Sequence, residues 1–146
     1  MSHFYWTIIG LLLTTISHAE DCLSYRAKQS ELIGHLVLIS SYGPPNYGEN
    51  PQTDQLEQNI VLLPERPICV RGTDDPDEPE INNAGEIQLA LNTEAMRQYQ
   101  KLKKDYLFSR KRIRVSGTLF KGFNGHHITD ILLETVRVEP AALEKP

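Results

Sequence analysis

The chain has 146 residues, 23% of them charged, and a formal net charge of -4. That length suits one ordinary domain with a core of its own and leaves no room for a second. The mild acidity offers no bulk attraction to nucleic acid or to anionic lipid, so neither is an expected partner.

Residues Phe4 to Ile16 are uncharged and mostly apolar, and Ser17-His18-Ala19 closes the run before the first charges, Glu20 and Asp21. This is the pattern of a secretory leader with a small-residue cleavage site. The run falls short of the roughly 20 apolar residues a membrane span needs. A cleaved signal over 1–19 is expected, with one domain over 20–146, a periplasmic or secreted location and no membrane attachment afterwards. Trp6 leaves with the leader. A tryptophan platform for sugars is thereby excluded, and Tyr25, Tyr42, Tyr47 and Phe123 are the aromatic substitutes.

Cys22 and Cys69 are the two cysteines of the chain. In an oxidising compartment an even number reads as a disulfide. Closing a loop of roughly fifty residues would stabilise the fold by about 4 kcal/mol on the chain-entropy argument.

The first predicted strand covers Glu31 to Ser40, interrupted at Gly34 and His35. Tyr42-Gly43-Pro44-Pro45-Asn46-Tyr47-Gly48 breaks regular structure, because prolines lack a donor and glycines permit unusual dihedrals. Asn59 to Leu63 and Pro67 to Arg71 read as one strand broken by Pro64-Glu65-Arg66-Pro67. Thr73 to Gly85 is an acidic, proline-containing loop, and Glu86 to Leu91 a short strand.

A helix is predicted next, with Thr93 as N-cap, Glu94 at the positive end of its dipole, and Met96, Tyr99, Leu102 and Tyr106 as its apolar face. In Lys111 to Phe120, Ile113, Val115, Gly117 and Leu119 alternate with polar residues, which is the period of a strand. A turn at Gly122 to Gly125 leads into a last strand from His127 to Val138, and the tail from about Pro140 is expected to be loose. The fold class is thus mainly β: a small five-stranded OB-like barrel with one helix between strands 3 and 4.

In that fold the binding surface uses the loops joining strands one to two and four to five. The candidate binding residues are Pro44, Pro45, Asn46 and Tyr47 in the first loop, and Phe123, Asn124, His126 and His127 in the second. The bland reading gives the prolines and glycines a turn-shaping role and has Tyr47 and Phe123 cover the end of the barrel.

The chain lacks G-x-S-x-G, H-E-x-x-H and the P-loop pattern, so a non-enzyme is expected. His126 and His127, with Asp130 or His35 as a third ligand, are the candidate metal site, for zinc or copper. Consecutive strand residues point to opposite faces, which counts against sharing one ion. Asp74, Asp75, Asp77, Glu78 and Glu80 offer oxygens to calcium, yet Pro76 and Pro79 break the spacing of a calcium loop. Eight of the fifteen basic residues fall between Arg97 and Arg114, a positive flank suited to an acidic partner or to simple solvation.

Gly117-Thr118-Leu119-Phe120, Gly125-His126-His127-Ile128-Thr129, Gly43-Pro44-Pro45-Asn46-Tyr47 and Pro67-Ile68-Cys69-Val70 together resemble a family of small exported bacterial domains of unknown function. Its members carry G-T-L-F-x4-G-H-H-x-T near the C-terminus and G-P-P-N-Y near the N-terminus. The chain departs from it at Lys121, Phe123 and Ile128, where histidine is frequent, and at Asp130, where proline is common. The resemblance implies a bacterial envelope protein and no particular reaction. The expected function is an envelope binding module, a monomer without cofactor, that recognises a protein or glycan through a surface that could equally serve an inhibitor or immunity-type protein. The alternative is a small periplasmic metal-binding protein using the His126-His127 turn.

Overall fold

The computed structural model describes residues 22–25 and 27–142. The expected leader over 1–19 and the final residues 143–146 lie outside them. The described residues are mainly β, with one helix and two sheets. Among the described residues no helix is long and apolar enough to cross a membrane.

The larger sheet contains β2 (Ser30–Tyr42), β3 (Leu56–Pro64), β6 (Ile87–Leu91), β7 (Ile113–Lys121) and β8 (Ile131–Pro140). They pair in the order β2-β3-β6-β8-β7, and β7 pairs back with β2, so the sheet closes on itself. Within this sheet β6 and β8 run parallel and the other neighbours antiparallel.

Closure depends on β2, whose 13 residues serve two partners. Ser30 to Gly34 pair with β7, and Gly34 to Tyr42 pair with β3. Gly34 therefore belongs to both ladders. A Cβ there would lie 2.1 Å from the Leu63 carbonyl oxygen, so only glycine lets the strand bend this close to its neighbour.

A second corner lies at Gly117, where the β7–β8 register shifts. Its missing Cβ would lie 2.1 Å from the Glu134 carbonyl oxygen. The shift places Gly117 opposite Thr135 and Ser116 opposite Arg137, which leaves Val136 as the extra residue of a bulge. The inward set of β8 accordingly skips a step: Ile131, Leu133 and Thr135 are buried, then Val138, while Val136 is exposed. With Leu32, Leu36, Leu62, Ile87, Leu89, Ile113, Val115 and Leu119 they fill the interior.

The helix α1 (Thr93–Tyr106) is capped by Asn92, whose side-chain oxygen accepts from the Ala95 amide at 2.8 Å. This corrects the expected Thr93 cap: Thr93 is already helical, while Asn92 keeps the extended backbone a cap requires. The buried stripe also differs at one position, Ala95 taking the place expected for Met96. Ala95 and Tyr99 are buried, Leu102 and Tyr106 pack beside them, and Met96 is exposed. The Val138 amide donates to Gln98 Oε1 at 2.7 Å, tying the helix to β8.

The smaller sheet was not expected. It joins β1 (Leu23–Ser24), β4 (Ile68–Arg71) and β5 (Ile81–Ala84) in the order β1-β4-β5. β3 and β4 are therefore separate strands in different sheets rather than one broken strand. The Pro64 to Pro67 stretch ends the first ladder, where the Glu65 amide still donates to the Ile33 oxygen. β5 occupies part of what reads as an acidic loop. Cys22, just before β1, and Cys69 in β4 are disulfide-bonded, with Cα atoms 4.7 Å apart. Tyr25 is buried, its hydroxyl donating to the Pro79 oxygen at 2.8 Å, so it cannot serve a ligand.

The tail is held further than expected, since β8 runs to Pro140 and the Ala141 amide donates to the Arg112 oxygen at 3.1 Å. The positive flank is partly neutralised in place: Arg97 pairs with Glu94, Arg112 with Glu65, and Arg114 with Glu31 and Glu139.

The corner at Gly117 gives a direct test. Gly117→Ala forces a Cβ against backbone and is expected to cost about 2 kcal/mol or more. Urea unfolding of the variant against the parent chain measures it.

Candidate functional site

The loop between β2 and β3 is built around one carboxylate. Asp54 Oδ1 accepts from the Asn46 amide at 2.9 Å and from Asn46 Nδ2 at 3.0 Å, and Oδ2 accepts from the amides of Gly48 at 2.7 Å and Asn50 at 3.3 Å. Burial raises the Asp54 pKa, and the bonds from Gly48, Asn46 and Asn50 outweigh it, so the carboxyl titrates below its ordinary value. This cradle holds Tyr47 at φ 51° and Gly48 at φ 99°. Tyr47 is a bulky residue in the left-handed region and needs such restraint.

The turn between β7 and β8, residues 122–130, is organised by Asn124, whose Oδ1 accepts from the His126 amide at 3.0 Å. Its backbone oxygen accepts from the His127 amide at the same distance. The expected last strand began at His127, but β8 starts at Ile131. The reason is Gln88 on β6, which takes the place of a ladder partner. Its Oε1 accepts from the Ile128 amide at 2.7 Å, its amide nitrogen Nε2 donates to the His126 oxygen at 2.9 Å, and its backbone amide donates to Thr129 Oγ1 at 3.0 Å. Gln88 Nε2 also donates to Asn59 Oδ1 at 3.0 Å, anchoring the clamp in β3.

The structure brings the two loops together. His126 Nδ1 lies 2.9 Å from Glu57 Oε2, and because a carboxylate only accepts, Nδ1 carries the proton. His126 Nε2 lies 3.4 Å from the Tyr47 hydroxyl, which can donate to it or accept from it. The two rings meet edge to face with centroids 5.4 Å apart. Gly125 permits this approach, since a Cβ there would lie 2.6 Å from Tyr47 Cδ1. Tyr47 is 46% exposed and Phe123 77% exposed, so neither seals the end of the sheet.

The neighbouring histidine serves a different group. His127 Nδ1 accepts from the Phe123 amide at 3.1 Å. Its ring meets Phe123 edge to face at 4.6 Å and Phe120 at 5.6 Å. Burial, and then the charge of His126, lower its pKa and favour the neutral ring that this acceptor role requires.

These geometries bear on the metal candidates. His126 and His127 engage separate partners, Asp130 pairs with Lys121 at 3.0 Å, and His35 Nδ1 lies 3.2 Å from the Lys111 oxygen. Among the described residues no group of three or more His, Cys, Asp or Glu side chains is placed to hold a metal ion. In the acidic loop, Glu78 Oε2 accepts from the Thr73 hydroxyl at 2.6 Å and Asp75 Oδ1 from the Asp77 amide at 3.0 Å, so these carboxylates fold their own loop.

On its other side the turn borders a cleft of about 780 Å³, lined by residues 81–86, 121–124 and 127–130. Phe123, Asn124 and His127 line it, whereas Pro44, Pro45, Asn46, Tyr47 and His126 do not. The predicted residues thus divide between a joined rim and an adjacent cleft. Glu57, Asn59 and Gln88 were missed. The alternation of β3 could have flagged the first two, because Glu57, Asn59 and Val61 share the strand face opposite Ile60 and Leu62. Nothing local marks Gln88.

The family model described as Domain of unknown function (DUF4431) matches residues 86–139. The matched segment runs from β6 through α1 to β8 and includes Gln88 and the whole β7–β8 turn, but not the loop bearing Tyr47. This agrees with a small domain of unknown function, and no catalytic family is indicated. No curated protein and no solved structure matches the chain.

Two outcomes test the construction of the site. Gln88→Ala leaves the Ile128 amide and the Asn59 side chain short of partners and should cost about 2 kcal/mol, read by urea unfolding. Asp54→Ala should release the amides of Asn46 and Gly48 to fast hydrogen exchange. In the parent chain a depressed folded pKa means the ordering is complete above the ordinary carboxyl value. It is lost as pH falls through the lower folded value, so these amides lose protection only in acid.

Proposed function

We propose that the chain is an OB-like binding module of the bacterial envelope that recognises a protein or a glycan through the rim formed by the β2–β3 loop and the β7–β8 turn. The strand order supports the OB-like reading: five strands follow one another as first, second, third, fifth and fourth around the closed sheet, and the helix lies between the third and fourth. In such folds those two loops meet the ligand. The apolar run at Phe4 to Ile16 and the Cys22–Cys69 bridge support export.

One observation carries the reading. Glu57, His126 and Tyr47 connect two loops distant in sequence into a single ordered surface, with Tyr47 half exposed upon it. Exposed, pre-ordered aromatics are the usual anchors of a recognition surface. Binding there by an inhibitor or immunity-type protein would occlude a partner's own site.

Cross-linked capture from envelope extract, with the chain from Glu20 onward as bait, tests this. A reproducible partner is expected, and Tyr47→Ala should reduce its recovery at least about tenfold while the thermal melt stays unchanged. Equal recovery by parent and variant, or no reproducible partner, overturns the rim assignment.

A further inference from the structure

The cleft beside the rim is a different surface with its own chemistry. Phe123, at 77%, has the largest exposure of any large hydrophobic residue described. Its ring contributes little to the core, yet it is held in place. The Phe123 amide donates to His127 Nδ1 at 3.1 Å, the His127 ring meets it edge to face at 4.6 Å, and Phe120 lies 6.2 Å away. The chain therefore keeps one aromatic face in water and fixes its orientation.

The groups around that face are mostly polar and neutral. Asn82, Asn83, Asn124 and Thr129 line the cleft. Asn124 spends its Oδ1 on the His126 amide, which leaves its two amide donors uncommitted among the described residues. Asn82 donates to Glu80 and keeps its oxygen. Asn83 makes no side-chain hydrogen bond among the described residues and stands at φ 63°, a conformation asparagine tolerates better than most residues.

Among the described residues one lysine or arginine lines the cleft, Lys121, which is bound to Asp130 of the same lining at 3.0 Å, and Glu86 adds a second carboxylate. An anionic ligand thus finds two carboxylates and, among the described residues, no lysine or arginine outside that ion pair. An added peptide strand is disfavoured too, because the left-handed Asn83 interrupts β5 and the β4–β5 register is irregular. A ligand with one apolar face and many neutral hydroxyls satisfies every feature at once. The volume of about 780 Å³ falls within the range of roughly 300–1,000 Å³ usual for ligand pockets.

We infer that the cleft binds a short neutral oligosaccharide, with the C–H face of one pyranose ring stacked on Phe123 and its hydroxyls bonded to Asn82, Asn83 and Asn124. The inference rests on the binding-module reading and narrows it to a ligand class and a place beside the rim.

Titration of the chain from Glu20 onward with cellotetraose, chitotetraose, mannotetraose and maltotetraose, followed by calorimetry and amide chemical shifts, tests it. At least one tetraose should saturate, with shifts confined to residues 81–86 and 121–130. Phe123→Ala should weaken that binding at least about tenfold and Asn124→Ala at least about threefold, Phe123→Trp should preserve it, and Phe108→Ala, at an exposed aromatic outside the cleft, should leave it unchanged. If none of the four binds, if the shifts fall elsewhere, or if Phe123→Ala binds like the parent, the inference is wrong. Inert tetraoses alongside Tyr47-dependent capture would sink the saccharide site alone. Saccharide binding alongside Tyr47-independent capture would sink the rim alone.

Discussion

β2 can serve two neighbours because, at Gly34, the Leu63 carbonyl sits where a side chain would otherwise begin. A strand that changes partners halfway along must bend, and a bend this tight brings backbone against backbone. Gly117 does the same work on the adjacent strand β7, where the bulge at Val136 takes up the difference in length between β7 and β8. Once the sheet is closed, its ends are fixed, and whatever connects the strands there is forced into proximity. The meeting of the β2–β3 loop with the β7–β8 turn is a consequence of that closure.

Proximity alone would leave two mobile loops. Their order comes from polar side chains standing in for backbone. Asp54 gathers three amides of one loop, Asn124 folds the other, and Gln88 binds the second loop to the sheet on which it lies. Each is an amide or carboxylate with several acceptor or donor positions, so one residue satisfies several backbone groups. Because Gln88 captures Ile128, the chain cannot enter β8 until Ile131, and His126 and His127 fall in a turn. There His126 turns toward Glu57 and Tyr47, and His127 packs among Phe120 and Phe123. The double histidine is in this way a divider between two surfaces, a polar rim and an aromatic-edged cleft.

Much of this organisation could be read locally. The alternation of Ile113, Val115, Gly117 and Leu119 marked β7 with its inward face. The break at Tyr42 to Gly48 marked the end of β2, and the spacing of Tyr99, Leu102 and Tyr106 marked the helix. Errors arose where a long-range partner overrode a local preference. Asn92 rather than Thr93 caps the helix, since the Asn92 amide is already held by the Thr135 oxygen and its backbone is extended. Met96 lost its place to Ala95 because the face that meets β8 is set by the sheet, not by the most apolar residue available.

The amino-acid order by itself determined the mainly β character, the helix ahead of β7, the eligible cysteine pair and the two irregular segments that became loops. All of these follow from period, punctuation and composition within a few residues. Tertiary structure decided the rest: the second sheet, the burial of Tyr25, the separation of the two histidines, and the cleft between β5–β6 and the β7–β8 turn. Each depends on contacts such as that between Gln88 and Ile128, forty positions apart. A hydrogen bond across such a distance leaves no trace in local periodicity, and only the closed sheet brings its two ends together.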